Sequence, residues 1–232
     1  VVTTQTTYAA IAREILGDRG TAISIGQGDE DPHFIQPRPS FVPALRDADV
    51  FVTTGMDLEI WVPALLDRAN NANVREGGRG YVAAFQGVPL MEVPTSVSRS
   101  QGDIHVDGNP HLQGDPINAI IIARNILAGL VRVSPENAAA FAERERDFEA
   151  RILRATFGDE LVRAHDLAAK PEQVKDLSAN NFTAKGSLLS FRAKGFCMKR
   201  TNQSRSSRRL VTSFKSGPTF RPPPIEWQLA QL

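Results

Sequence analysis

Four histidines, His33, His105, His111 and His165, and one cysteine, Cys197, stand out as candidates for metal or nucleophilic chemistry. Two of the histidines occupy similar settings. His33 closes Asp31-Pro32-His33, in a glycine- and acid-rich stretch after an expected strand. His111 closes Asn109-Pro110-His111, shortly before an expected helix. In each case a proline fixes the backbone immediately before the imidazole. Neutral imidazole is the commonest protein ligand for zinc and related metals, so this pair could coordinate a divalent ion. Two surface or capping histidines would give the same pattern, and residue types alone leave both readings open. His105, in Gly102-Asp103-Ile104-His105-Val106, reads as a satisfied or exposed loop residue, and His165 as a surface residue. A single cysteine excludes a disulfide framework and any multi-cysteine zinc or iron–sulfur site. Neither G-x-S-x-G nor H-E-x-x-H occurs, which removes two common hydrolase signatures.

The elements that must position these residues alternate in type. Residues 1–4 form a β-branched run, read as a strand. Tyr8, Ile11, Ile15 and Leu16 then recur at helical spacing, and Gly17 closes that helix. Further strands are expected at 22–25, 50–54, 81–85 and 90–93. A short helix over 40–47 would be capped by Ser40, with Phe41, Ala44 and Leu45 inward. Leu58, Trp61, Val62, Leu65 and Leu66 form the stripe of another helix, which assigns Glu59 and Trp61 to packing and capping. Residues 115–131 form a strongly apolar helix with Pro116 in its first turn. Strands alternating with helices at this spacing predict an α/β fold with a parallel, doubly wound sheet. Both Pro-His loops would then lie at the carboxyl ends of the strands, where open α/β sheets place ligands.

Ser134 and Pro135 should start another helix, running without a breaker to about residue 156. At 1.5 Å per residue it would span roughly 33 Å. It is dense in charge, from Glu143 to Arg151, with a narrow stripe of Phe141, Phe148, Ile152 and Leu153. That pattern fits a half-solvated connector between two lobes, and equally an ordinary surface helix. A further helix is expected over 159–174.

The net charge of +1 hides a split. Residues 1–170 carry 16 basic and 23 acidic side chains, whereas residues 171–232 carry 11 and 3. Lysine, serine, proline and phenylalanine thicken in the later segment. Its basic clusters, Lys199-Arg200 and Arg205 to Arg209, lack interleaved aromatics and a recognisable binding pattern, so no nucleic-acid partner is expected. No run of apolar residues approaches the 18 or so that a membrane span needs.

Taken together, four motifs carry a family likeness. They are Val1-Val2-Thr3-Thr4, the DPH-x-x-x-P-x-P-S element from Asp31 to Ser40, the stretch from Ala48 to Trp61, and the NPH-x-x-x-DP element from Asn109 to Pro116. In this order they resemble the metal-binding solute-binding proteins of bacterial ABC importers, the zinc and manganese type called cluster A-I. The likeness runs through about residues 1–165.

The resemblance implies two Rossmann-like lobes joined by one long rigid helix. It divides the chain into an N-terminal lobe over 1–133, a connecting helix over 134–157, and an incomplete C-terminal lobe over 158–232. It implies a divalent metal ion, zinc or manganese, held between the lobes with His33 and His111 as ligands. A third ligand should come from the second lobe, in a motif whose nearest match is Val211-Thr212-Ser213-Phe214-Lys215-Ser216-Gly217; there Phe214 stands in the ligand position. A slip of reading frame over about residues 185–224 is the economical explanation for that loss and for the change in composition; a genuinely divergent second lobe is the alternative.

The implied function is capture of the metal outside the cytoplasmic membrane and delivery to an ABC permease. The implied molecule is a monomer, periplasmic or anchored, whose signal peptide is not within this numbering, and it is not an enzyme. An adhesin that keeps the fold with little metal function is the alternative, and a metal-dependent hydrolase a more distant one.

Overall fold

The computed structural model describes residues 1–91, 93–94, 105, 107–164 and 166–167. Among them four short strands, β1 (Val2–Thr3), β2 (Ile23–Ser24), β3 (Phe51–Thr53) and β4 (Tyr81–Ala83), form one sheet in the order β2-β1-β3-β4. Every pairing is parallel: Val2 lies opposite both Ile23 and Phe51, and Val52 opposite Val82. β2 and β4 are therefore the edges of the described sheet. The helices are α1 (Thr6–Leu16), α2 (Val42–Arg46), α3 (Val62–Ala69), α4 (Pro116–Val133), α5 (Ala138–Phe157) and α6 (Asp159–Ala164).

The expected α/β class with a parallel sheet is borne out, and the strand chemistry explains it. Successive side chains of a strand point to opposite faces, and here both faces are covered. Val50 and Val52 enter one core with Tyr8, Ile11 and Ile15 of α1, Ile122 and Ile126 of α4, and Phe141, Phe148 and Ile152 of α5. Phe51, between the two valines, enters the other core with Leu45 of α2, Trp61, and Val62, Leu65 and Leu66 of α3. Gly129 lets α4 press close on the sheet, since a Cβ there would meet Val82 Cγ2 at 2.3 Å.

By length and composition α4 could cross a membrane, although no unbroken apolar run marks it. Here it is a core helix. Ile120, Ile122, Ile126 and Leu130 are buried, and Arg124 is paired. Its start is set by Asp115, whose Oδ1 accepts a 2.8 Å hydrogen bond from the Ile117 amide, with Pro116 at the first position.

α5 is one unbroken helix, entered through a 3-10 turn at Pro135–Asn137. Ser134 makes no cap; its hydroxyl donates to Glu136 instead. Nor are the charges of α5 all solvated. Glu145 and Glu149 are buried against α4, where Arg124 Nη2 lies 2.8 Å from both Glu149 oxygens and its Nε 3.8 Å from Glu145. Burial, then the neighbouring Glu149 carboxylate, raises the Glu145 pKa above the usual carboxylate range.

Several local expectations are corrected. Leu58 and Trp61 are buried but precede α3, because Gly55, Met56 and Asp57 all take positive φ, which no right-handed helix accommodates. Ser40 lies inside a 3-10 turn at Pro39–Phe41 and caps nothing; only Leu45 of the three inward residues is fully buried. Leu90, Met91 and Val93 are exposed and belong to no strand. Of the helix expected over 159–174, α6 forms Asp159–Ala164 and Asp166 then takes a positive φ; 168–174 lie outside the described residues. The remaining readings, for His165, Cys197, Phe214, the basic clusters and the frame slip over 185–224, fall outside the described residues.

Candidate metal centre

Two loops build the site. The first follows β2 and carries His33. At its start the Gly26 amide donates to Thr4 O over 3.0 Å, and a Cβ on Gly26 would stand 2.8 Å from that oxygen. Ile35 anchors the far side by burial in the second core. The second loop follows β4 and carries His105 and His111. Gly108, at φ +104°, turns the chain so that the Asn109 amide reaches Met91 O at 2.8 Å. Leu112, next to His111, is buried in the first core.

One local device shapes both Pro-His segments. Asp31 Oδ1 accepts from the His33 amide at 3.0 Å, and Asn109 Oδ1 accepts from the His111 amide at 3.0 Å. Each is an Asx turn closed across the intervening proline.

These turns bring His33 and His111 together, with ring centroids 5.3 Å apart. They also meet a third imidazole. His105 Nε2 lies 3.2 Å from His33 Nε2, and the coordinating atoms of His33, His105 and His111 all fall within 4.8 Å of one another. His33 and His105 are half-buried, and His111 is exposed at the rim. Two nitrogens bound tetrahedrally to one zinc at its usual bond length sit about 3.3 Å apart. The His33–His105 separation matches that figure, and the His111 donor lies within 4.8 Å of both.

Partial desolvation, then the facing His33 and His105 rings, hold the His111 pKa below the ordinary histidine value, with Asp31 opposing. The His33 hydrogen bonds hold the Asp31 carboxyl below its usual range. Asp31 Oδ1 lies 2.6 Å from His33 Nδ1, which leaves Nε2 of that ring free to face the cluster.

His105 is the residue that sequence reading missed. Treated singly it was a loop histidine; its place six residues before His111 in the same loop was the available signal. Glu59 and Trp61 stand beside the site without entering the cluster. The Glu59 carboxylate, buried, accepts from the Thr4 hydroxyl at 2.7 Å, the Thr53 hydroxyl at 3.1 Å and the Thr54 hydroxyl at 2.6 Å. Trp61 Nε1 donates to Pro32 O at 2.8 Å.

Residues 1–156 match the model of the ZnuA family, described as zinc-uptake complex component A, periplasmic. The chain belongs to this family. Within its reach, the chain is 29% identical over 160 residues to the metal ABC transporter substrate-binding lipoprotein SsaB of Streptococcus sanguinis, covering 67% of this chain and 48% of that protein. It is 30% identical over 160 residues to the iron-binding protein YfeA of Yersinia pestis, covering 66% and 47%. It is 24% identical over 156 residues to the high-affinity zinc uptake system protein ZnuA of Bacillus subtilis, covering 66% and 47%. The chain thus spans about half the length of the curated relatives it matches. Among solved structures, the metal-dependent lipoprotein YcdH of Bacillus subtilis superposes with a TM-score of 0.54 at 26% identity, over 70% of this chain and 54% of that one. A manganese-bound periplasmic metal-binding protein from Candidatus Liberibacter asiaticus gives 0.55 at 20% identity, over 66% and 53%, a likeness of fold alone.

Proposed function

We propose that this chain captures a divalent transition metal outside the cytoplasmic membrane and delivers it to the permease of an ABC importer. His33, His111 and His105 supply the donors. The observation that carries this reading is the convergence of three imidazoles, with coordinating atoms within 4.8 Å of one another, in a chain of the ZnuA family. Relatives whose names specify manganese, zinc and iron support the class of cargo.

The finer architecture belongs to the same proposal. Residues 1–133 form the first of two Rossmann-like lobes, 134–157 the connecting helix, and 158–232 the second lobe. The unbroken course of α5 supports its role as the connector. Three nitrogen donors without a carboxylate favour zinc over manganese, which prefers oxygen. A fourth position is left for water or for a donor outside the described residues. The reading is of a monomeric receptor, periplasmic or anchored, that binds and releases its cargo unchanged and performs no catalysis.

Titration calorimetry of the whole chain with zinc and with manganese tests it. Zinc should bind one to one and more tightly than manganese. His33→Ala or His111→Ala should abolish binding, and His105→Ala should weaken it about 10- to 100-fold. Tight binding that survives His111→Ala would sink the ligand assignment.

A further inference from the structure

The peptide plane between Pro32 and His33 is held from both sides. Its N–H is accepted by Asp31 Oδ1 at 3.0 Å, within the loop. Its carbonyl is taken by Trp61 Nε1 at 2.8 Å, from outside the loop. Trp61 is 6% exposed and packs in the second core with Phe51 and Leu65, so its indole has little freedom. Two residues earlier, Glu59 gathers Thr4 at the end of β1 and Thr53 and Thr54 at the end of β3. Hydrogen bonds from the ends of the two central strands thus hold Glu59, and two residues further along the same backbone the Trp61 indole bonds the peptide that projects His33.

The His33 loop has few other moorings among the described residues. Gly26 is fixed to Thr4 at one end, and Ile35 is buried beyond the histidine. Between them, the Trp61 bond is the contact that relates the His33 peptide to the sheet. A liganding ring rotated a few tens of degrees about its peptide no longer points at the ion, so fixing that plane fixes the donor.

We infer that Trp61 is a positioning residue of the metal site, whose N–H sets the peptide plane of His33 and with it the affinity and lifetime of the bound ion. The inference rests on the reading of His33 as a ligand.

The test uses the whole chain, with zinc and cobalt(II) as probes. Trp61→Phe removes the donor and keeps an aromatic ring. Replacing Trp61 with its sulfur isostere 3-benzothienylalanine keeps the shape as well, and decides the matter if the phenylalanine variant does not fold. Competition with a chromophoric chelator should show zinc affinity falling about tenfold in the isostere, through faster release. The cobalt absorption bands should keep their positions, because the donors are the same, and the thermal midpoint of the metal-free protein should stay within about 3 °C of the parent. Zinc affinity within about twofold of the parent would overturn the inference, as would an affinity loss matched by a general loss of stability. His33→Ala in the same titration separates the two levels. If that variant binds as the parent does, the ligand reading fails, whatever Trp61 does.

Discussion

His33 Nδ1 lies 2.6 Å from Asp31 Oδ1, and the opposite nitrogen of the same ring lies 3.2 Å from His105 Nε2. The carboxylate thus fixes which nitrogen faces the cluster, and it raises the basicity of that nitrogen once metal is bound. Asp31→Ala should weaken zinc binding by about tenfold or more, with Asp31→Asn milder because an amide oxygen can still accept from Nδ1–H. Calorimetric titration of both variants checks this. Equal affinity in parent and alanine variant would mean that Asp31 serves the loop turn alone.

Metal affinity should fall as pH drops through about 6.5, where an ordinary histidine takes up its proton. His111 resists protonation more than an ordinary histidine, so its donor persists to lower pH. Well below 6.5, binding should displace about three protons per ion, which titrations in two buffers of different ionisation enthalpy would count. The metal-free fold responds with the same sign. The unfolded state binds the His111 proton more tightly than the folded state, so that contribution to stability is present above about 6.5 and shrinks below it. Affinity that is unchanged between pH 7.5 and 5.5 would contradict imidazole ligation.

Glu59→Ala should destabilise the fold by about 2–3 kcal/mol. The substitution leaves the Thr4, Thr53 and Thr54 hydroxyls without their shared acceptor in a buried place. Urea unfolding monitored by far-ultraviolet circular dichroism measures the loss; a change below about 0.5 kcal/mol would show that water replaces the carboxylate at little cost.

Arg124→Leu should cost about 1–2 kcal/mol, less than a wholly buried pair because the Arg124 side chain stays 42% exposed. It leaves Glu145 and Glu149 adjacent and without the cation that pairs with both, Arg146 alone still acting on Glu145. The Glu145 pKa is already raised, so its ionised form weakens the fold as pH rises through the carboxylate range, and removing Arg124 extends that window upward. The deficit should therefore be smaller at pH 5 than at pH 7.5. Urea unfolding at both values tests the sign, and an equal deficit would argue against charge as the cause.

The sheet was legible because its strands alternate on both faces: Val50, Phe51 and Val52 feed two cores in turn. Gly17 marked the end of α1, and Pro116 the start of α4. Where the sequence misled, local chemistry competed with pattern. Leu58 and Trp61 keep a helical spacing, yet the chain reaches them through positive-φ residues and buries them from a turn. Ser40 and Ser134 have the right type for caps, but Ser40 lies inside a 3-10 turn and Ser134 only precedes one, and neither side chain caps the backbone. His33 and His111 could be paired by their shared Pro-His setting. His105 lacks that Pro-His setting, and its one signal is its place six residues before His111; nothing in its immediate sequence marks the meeting with His33, 72 residues away.

The two loops that form the cluster leave from β2 and β4, the opposite edges of the described sheet. Their histidines can meet only across the full width of the four strands. A chain in which β4 has not yet docked has no site at all, however well its first fifty residues have folded. On the function proposed above, capture of the ion would also be a check on assembly, because it would close a contact between residues 72 apart in sequence that exists only once all four strands are paired.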